Sequence, residues 1–130
     1  MEILKIPGTK YTLEINFDPD TGHLEMAGSS YPENAVEFFQ PIFEWLENYV
    51  SKVKNSILLS LNFDYLNSIS TRCIINILEI LEMYYNGGGK VEVNWYCAKD
   101  NEDMLQMAQE IAEDVKLPIN VISFSREVRD

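Results

Sequence analysis

The sequence predicts an α/β fold: a single mixed β-sheet with an N-terminal antiparallel hairpin, then βαβαβαβ, covered by three helices. Three observations lead there. Residues 11–17 alternate strictly between apolar and polar, the period of a half-buried strand. A turn and a second in-phase run follow at 18–27, which makes a hairpin. Beyond it, runs with apolar residues at threes and fours alternate with short apolar runs, so the later strands are expected to pair in parallel. All 130 residues read as one domain, with no linker, repeat or low-complexity segment.

Each element has its own justification. Glu2 to Ile6 is a short strand closed by Pro7-Gly8. Tyr11, Leu13, Ile15 and Phe17 form the apolar side of the next strand; Asp18-Pro-Asp-Thr-Gly22 is the turn, and His23 to Ala27 runs back. Gly28 to Asn34 breaks the pattern and starts a helix, with Pro32 suited to an early helical position. Val36, Phe39, Phe43, Leu46, Val50 and Val53 are its expected buried stripe, flanked by Trp45 and Tyr49. Pro41 inside this run should kink the helix or mark a late start. Phe38, Phe39, Phe43 and Trp45 are bulkier than one stripe needs; they read as a core helix over a sheet, with a docking face as the alternative.

Ile57 to Leu61 is an apolar, buried strand, and Cys73 to Leu81 is helical, with Ile74, Ile77, Leu78, Leu81, Tyr84 and Tyr85 as its stripe. Asn86-Gly-Gly-Gly89 ends that helix by a glycine C-cap. Val91, Val93, Trp95, Tyr96 and Cys97 make another strand. Asp100, Glu102 and Asp103 open a third helix, where carboxylates suit the dipole. Met104, Leu105, Ala108, Ile111, Ala112 and Val115 are its face; Leu117-Pro118 stops it, and Ile119 to Phe124 is a final apolar strand before a charged tail.

Composition excludes several function classes. The formal net charge is −11 and the ten Lys and Arg are scattered, so phosphates of nucleic acid and anionic membrane surfaces would repel the chain. Solubility alone also explains such an acidic balance. Cys73 and Cys97 sit inside a helical and a strand pattern and read as buried, reduced thiols, which fits a cytoplasmic protein. Met1-Glu-Ile-Leu-Lys5 does not begin a secretory leader, and no apolar run approaches a membrane-spanning length.

The motifs of catalysis and metal binding are missing or malformed. Asp18, Asp20 and Gly22 fall short of a calcium loop, because the required glycine position and terminal Glu are absent. His23, the only histidine, has no second His, Cys or nucleophile near it in sequence. Gly87 to Lys90 joins helix to strand and lacks a following Ser or Thr, so it is no phosphate-binding loop. No cofactor or metal is expected. Asp64 and Glu33 are the candidate carboxylates for an enzymatic reading, which would require a deep pocket near Ser68.

The stretch with chemical promise is Asn62-Phe-Asp-Tyr-Leu-Asn-Ser-Ile-Ser-Thr-Arg72, between the buried strand and the second helix. Asn67, Ser68, Ser70 and Thr71 are residue types favoured at helix N-caps. A helix start in an exposed turn offers free backbone N–H groups and the positive end of the dipole, a position that suits a phosphate. The reading is a switch worked by phosphorylating one of these hydroxyls. A plain N-cap role accounts for Ser68 without any switch.

Two segments carry a resemblance. Gly28-Ser-Ser-Tyr-Pro-Glu-Asn-Ala-Val-Glu-Phe-Phe-Gln-Pro-Ile-Phe-Glu-Trp-Leu46 and Asn62–Arg72 resemble the hallmark segments of the SiaC family of bacterial regulatory phosphoproteins. The similarity runs over essentially the whole chain, including the Gly-Gly-Gly-Lys turn. It implies a build like that of STAS-type anti-sigma-factor antagonists, and a helix-start hydroxyl that a cognate Ser/Thr protein kinase phosphorylates and a PP2C-type phosphatase clears.

In the family pattern the acceptor is the Thr of a Tyr-Phe-Asn-Thr-Ser-Ser run, which falls on Ser68, with Ser70 and Thr71 as alternatives. Ser replaces Thr at 68, Ile69 replaces a small hydroxyl residue, and Thr71-Arg72 stands where a small residue and Lys are usual. Asn67, Ser68 and Arg72, with Tyr31, Glu33 and Asn34 from the first segment, are the partner-binding residues the resemblance implies. It further implies that the unphosphorylated form binds and activates a diguanylate cyclase in cyclic-di-GMP and biofilm signalling. An anti-sigma-factor antagonist would use the same switch with a transcriptional output.

Overall fold

A computed structural model of the chain describes residues 1–126. The strands are β1 (Leu4–Ile6), β2 (Glu14–Phe17), β3 (His23–Ser30), β4 (Ile57–Leu66), β5 (Val91–Ala98) and β6 (Ile119–Phe124). The α-helices are α1 (Ala35–Asn48), α2 (Ser68–Asn86) and α3 (Glu102–Asp114). One sheet holds the strands in sequential order; β1–β2 and β2–β3 pair antiparallel, and β3 to β6 pair parallel. This is the mixed sheet with three helices that the alternating periodicities predict.

Burial shows which face the helices cover. Along β4, Ile57, Leu59, Leu61 and Phe63 are buried, whereas Leu58 and Ser60 are half-buried and Asn62 and Asp64 exposed. Parallel strands laid down in sequence with right-handed crossovers put every helix on the same side. The apolar positions of β2 to β5 therefore join α1, α2 and α3 in one core, from Leu13 and Phe17 through Phe39, Leu46 and Leu78 to Trp95 and Ile111, with Leu4 and Ile6 of β1 and Ile119 and Val121 of β6 half-buried at its edges. The opposite face carries Glu25, Ser60, Asn62, Asn94 and Asn120 and is left to solvent.

Several boundaries differ from expectation. β2 begins at Glu14, and Tyr11 lies outside it, because the Thr9 hydroxyl accepts from the Tyr11 and Thr12 N–H groups and bends the chain there. Pro32 precedes α1, which starts at Ala35 after an Asn34 cap; Pro41 lies within the helix, so there is no late start. Its buried stripe is Ala35, Phe39, Ile42, Leu46 and then Tyr49, while Val36 is 71% exposed. Both sets alternate threes and fours, so the helical period fits either; the face that α1 turns toward the core selects the one begun at Ala35. A π-helical turn, Tyr49–Val53, follows α1 and ends at Lys54 in the left-handed region.

The glycine cap of α2 is present: the Gly87 N–H bonds to Met83 O, the Gly89 N–H to Tyr84 O, and Gly88 takes a φ of 103°. Gly22 tolerates no side chain. It has a φ of 74°, and a Cβ there would lie 2.0 Å from the Ser56 carbonyl oxygen. Its own carbonyl accepts from the Leu58 N–H, which sets the start of β4 against β3. Cys73 and Cys97 are free and buried, and burial pushes both thiols up. The charged tail lies mostly outside the described residues. No helix among the described residues is long and apolar enough to cross a membrane.

Candidate functional site

The expected exposed turn between β4 and α2 is almost absent. β4 runs ten residues to Leu66, α2 begins at Ser68, and Asn67 alone joins them. The reason is a register shift at the end of β4: Gly28 faces Phe63, but Ser29 faces Tyr65, so Asp64 is the extra residue. Such a bulge reverses the inward and outward phase. Asp64 and Tyr65 both point to solvent, and Leu66 returns to the core. The chain thus arrives at the helix already anchored.

Asn67 is a fully used N-cap. Its side-chain oxygen accepts from the Ser70 N–H at 2.8 Å, and its carbonyl accepts from the Thr71 N–H at 2.8 Å and the Thr71 hydroxyl at 2.9 Å. Its own N–H donates to Ser30 O at 2.9 Å, tying the cap to the end of β3. These bonds make Ser68 the first helical residue and leave its side chain exposed. Its backbone N–H and that of Ile69 belong to the orphan donors of a helix start.

The three candidate hydroxyls are therefore unequal. The Ser70 hydroxyl is fully buried and lies 2.7 Å from the equally buried Ser30 hydroxyl. Thr71 is half-buried and donates backward to the Asn67 carbonyl. Ser68 alone is exposed. Removing either member of the Ser30–Ser70 pair strands the other, so Ser30→Ala or Ser70→Ala is expected to cost about 1–2 kcal/mol in urea denaturation. The double variant should cost less than the sum of the two. Additive losses would show that the two hydroxyls are not coupled.

Around Ser68 lies an aromatic and aliphatic surface. Tyr31 sits edge-on to both Tyr11 and Tyr65, with ring centroids 5.0 and 5.6 Å apart. The Tyr31 N–H donates to Tyr11 O at 3.0 Å, which fastens the two loops together. Tyr65 is 52% and Ile69 60% exposed. Of the residues singled out by resemblance, Tyr31 joins Tyr65 next to the Asn67–Ser68 corner, and Arg72 lies exposed one turn along α2. Glu33 is exposed, and Asn34 is occupied in capping α1 through the Glu37 N–H.

Tyr11, Tyr65 and Ile69 were not found from sequence. Tyr11 read as the apolar side of a strand, and Tyr65 and Ile69 lay within a run read for its hydroxyls; the turn at Thr9–Thr12 and the bulge expose the two tyrosines.

The enzymatic candidates separate. Asp64 pairs with Arg126 at 3.2 Å, which also reaches Asp100 at 3.2 Å, whereas Glu33 lies exposed in the loop before α1. His23 lies on the open sheet face, 3.1 Å from Ser60 Oγ and 3.4 Å from a Glu25 carboxylate oxygen. This row sits on paired strands whose backbone N–H groups serve the ladder. Those backbone N–H groups are therefore not free to hold an oxyanion. No cluster of three or more His, Cys, Asp or Glu placed to hold a metal occurs among the described residues.

Comparisons with known proteins bear on this site. A family model for SiaC family regulatory phosphoproteins matches residues 6–124. A protein of Pseudomonas aeruginosa (strain UCBPP-PA14), itself called uncharacterized, is 36% identical over 121 residues, covering 93% of this chain and 96% of its own. The structure of SiaC of Pseudomonas aeruginosa superposes with a TM-score of 0.89 at 33% identity, over 95% of this chain and 100% of that one. A chain from the crystal structure of the diguanylate cyclase SiaD with its activator SiaC, from Pseudomonas aeruginosa, gives a TM-score of 0.89 at 35% identity, over 93% and 99%.

Proposed function

The chain belongs to the SiaC family of regulatory phosphoproteins, and from that premise we propose that it is a non-catalytic switch governed by reversible phosphorylation of Ser68. The observation that carries this reading is the inequality of the hydroxyls: Ser68 is exposed on the first turn of α2, Ser70 is sealed and Thr71 is committed. A kinase must draw an acceptor hydroxyl into its own active site, which an interior serine cannot reach without unfolding the helix start.

In this reading the unphosphorylated form binds and activates a diguanylate cyclase, as SiaC is described as the activator of SiaD. A cognate Ser/Thr kinase adds the phosphate and a PP2C-type phosphatase removes it, in the cytoplasm. Asn67, Ser68, Arg72 and Tyr31 form the binding surface, with Tyr65 and Ile69 as apolar anchors and Glu33 and Asn34 at its edge. Aromatic side chains that are rigid and half-exposed are the usual anchors of such interfaces.

Co-expression with the cognate kinase, followed by intact mass and peptide mapping, tests the assignment. One phosphate on Ser68 is expected, and none in Ser68→Ala. Phosphate recovered on Ser70, or only outside residues 67–72, would overturn it.

A further inference from the structure

Away from Ser68, the solvent side of α1 and α2 holds two contiguous depressions, of about 340 and 280 Å³, that share Glu47 and Ile80. Phe43, Val50 and Ile80, all half-buried, make the apolar floor, with Met83 standing at its edge. Met83 is 77% exposed, an unbranched and adaptable side chain with nothing over it. Glu47 and Glu79 stand at the rim, and neither enters an ion pair among the described residues.

We propose that this groove between α1 and α2 docks a basic amphipathic helix of a partner protein. Its length suits that occupant: Asn76 to Met83, and Phe43 to Val50, each span about 10 Å at the helical rise. Apolar residues at i, i+3 or i+4, and i+7 of a guest helix cover the same distance. Charge decides the guest's polar face. A rim of unpaired glutamates on a chain of net charge −11 attracts Lys and Arg, and repels both an anionic lipid surface and a second copy of this chain. The inference is independent of the Ser68 reading, because neither floor nor rim includes residues 67–72.

The test uses the full-length, unphosphorylated chain, labelled for NMR, at near-physiological salt. The probe is a 14-residue Leu/Lys amphipathic helix, with anionic phosphatidylserine vesicles as a second probe. Shift perturbations from the peptide should map to residues 43–50 and 76–84. Met83→Ser, at a site exposed enough to leave the fold intact, should weaken peptide binding about tenfold. Glu47→Gln with Glu79→Gln should weaken it about fivefold.

Glu113→Gln with Asp114→Asn removes the same charge from the exposed side of α3 and should leave affinity unchanged. Perturbations spread over the surface, equal weakening by the α3 control, or binding to the vesicles through this groove would each overturn the proposal.

Discussion

Phosphorylated Ser68 is expected to weaken binding to the cyclase partner by more than about 100-fold, while Ser68→Ala binds as well as the unmodified chain. The phosphate brings close to two negative charges and three acceptor oxygens. On the free protein it is tolerated: at the first residue of α2 the dipole and the orphan N–H groups stabilise it by about 0.3–2 kcal/mol. Arg72 lies four residues on, one turn along the same face.

Beneath a partner the balance reverses. Ile69 is exposed next to it in sequence, and Tyr65 with its neighbour Tyr31 is exposed just before the Asn67 cap, so a partner that covers this corner with apolar surface would strip water from the dianion. An unpaired buried charge costs several kcal/mol, and about 3 kcal/mol already corresponds to more than 100-fold in affinity. Ser68→Asp, with one charge and a shorter reach, should lose only about tenfold. Titration calorimetry of the three forms against the purified cyclase reads these values directly. Equal affinities for the Ala, Asp and phosphorylated forms would remove the switch, whatever the kinase modifies.

The second large effect lies in the core. Trp95→Ala is expected to destabilise the fold by about 3–5 kcal/mol, seen as a lower urea midpoint at an unchanged slope. Trp95 is fully buried in β5, opposite Leu61 in the sheet and edge-on to Phe63 at 5.9 Å. Truncation would empty the space between the sheet and the helices, and Phe63 lies just before the bulge that turns Tyr65 outward.

Trp95→Phe should cost much less. The indole N–H is buried with no hydrogen-bond partner among the described residues, so Phe loses packing but also sheds a donor held away from water. A loss for Trp95→Phe as large as for Trp95→Ala would mean that the indole N–H is satisfied in solution.

Much of the architecture was legible because the signals are local. A period of two at Leu13, Ile15 and Phe17, and threes and fours at Ile74, Ile77, Leu78 and Leu81, state the element type wherever the chain goes next. The misreadings share a cause. Tyr11 and Val36 belong to apolar patterns, yet both are exposed, because a turn at Thr9–Thr12 and the phase of α1 decide which way they face. Residues 62–66 looked like turn because Asn62 and Asp64 are polar; they are strand, and their polarity belongs to the uncovered side of the sheet.

The sequence by itself determined the order of strands and helices, the parallel half of the sheet, the family and the presence of a short run of hydroxyls at the start of the second helix. Those properties follow from spacing and residue type along one stretch of chain. Which hydroxyl in that run faces solvent was decided only by tertiary structure. It depends on Ser30, forty residues away, meeting Ser70 inside the core, and on the extra residue in β4 that returns Leu66 to the core just before α2. Burial is a property of what other segments place alongside a residue, and no spacing within 67–72 records it.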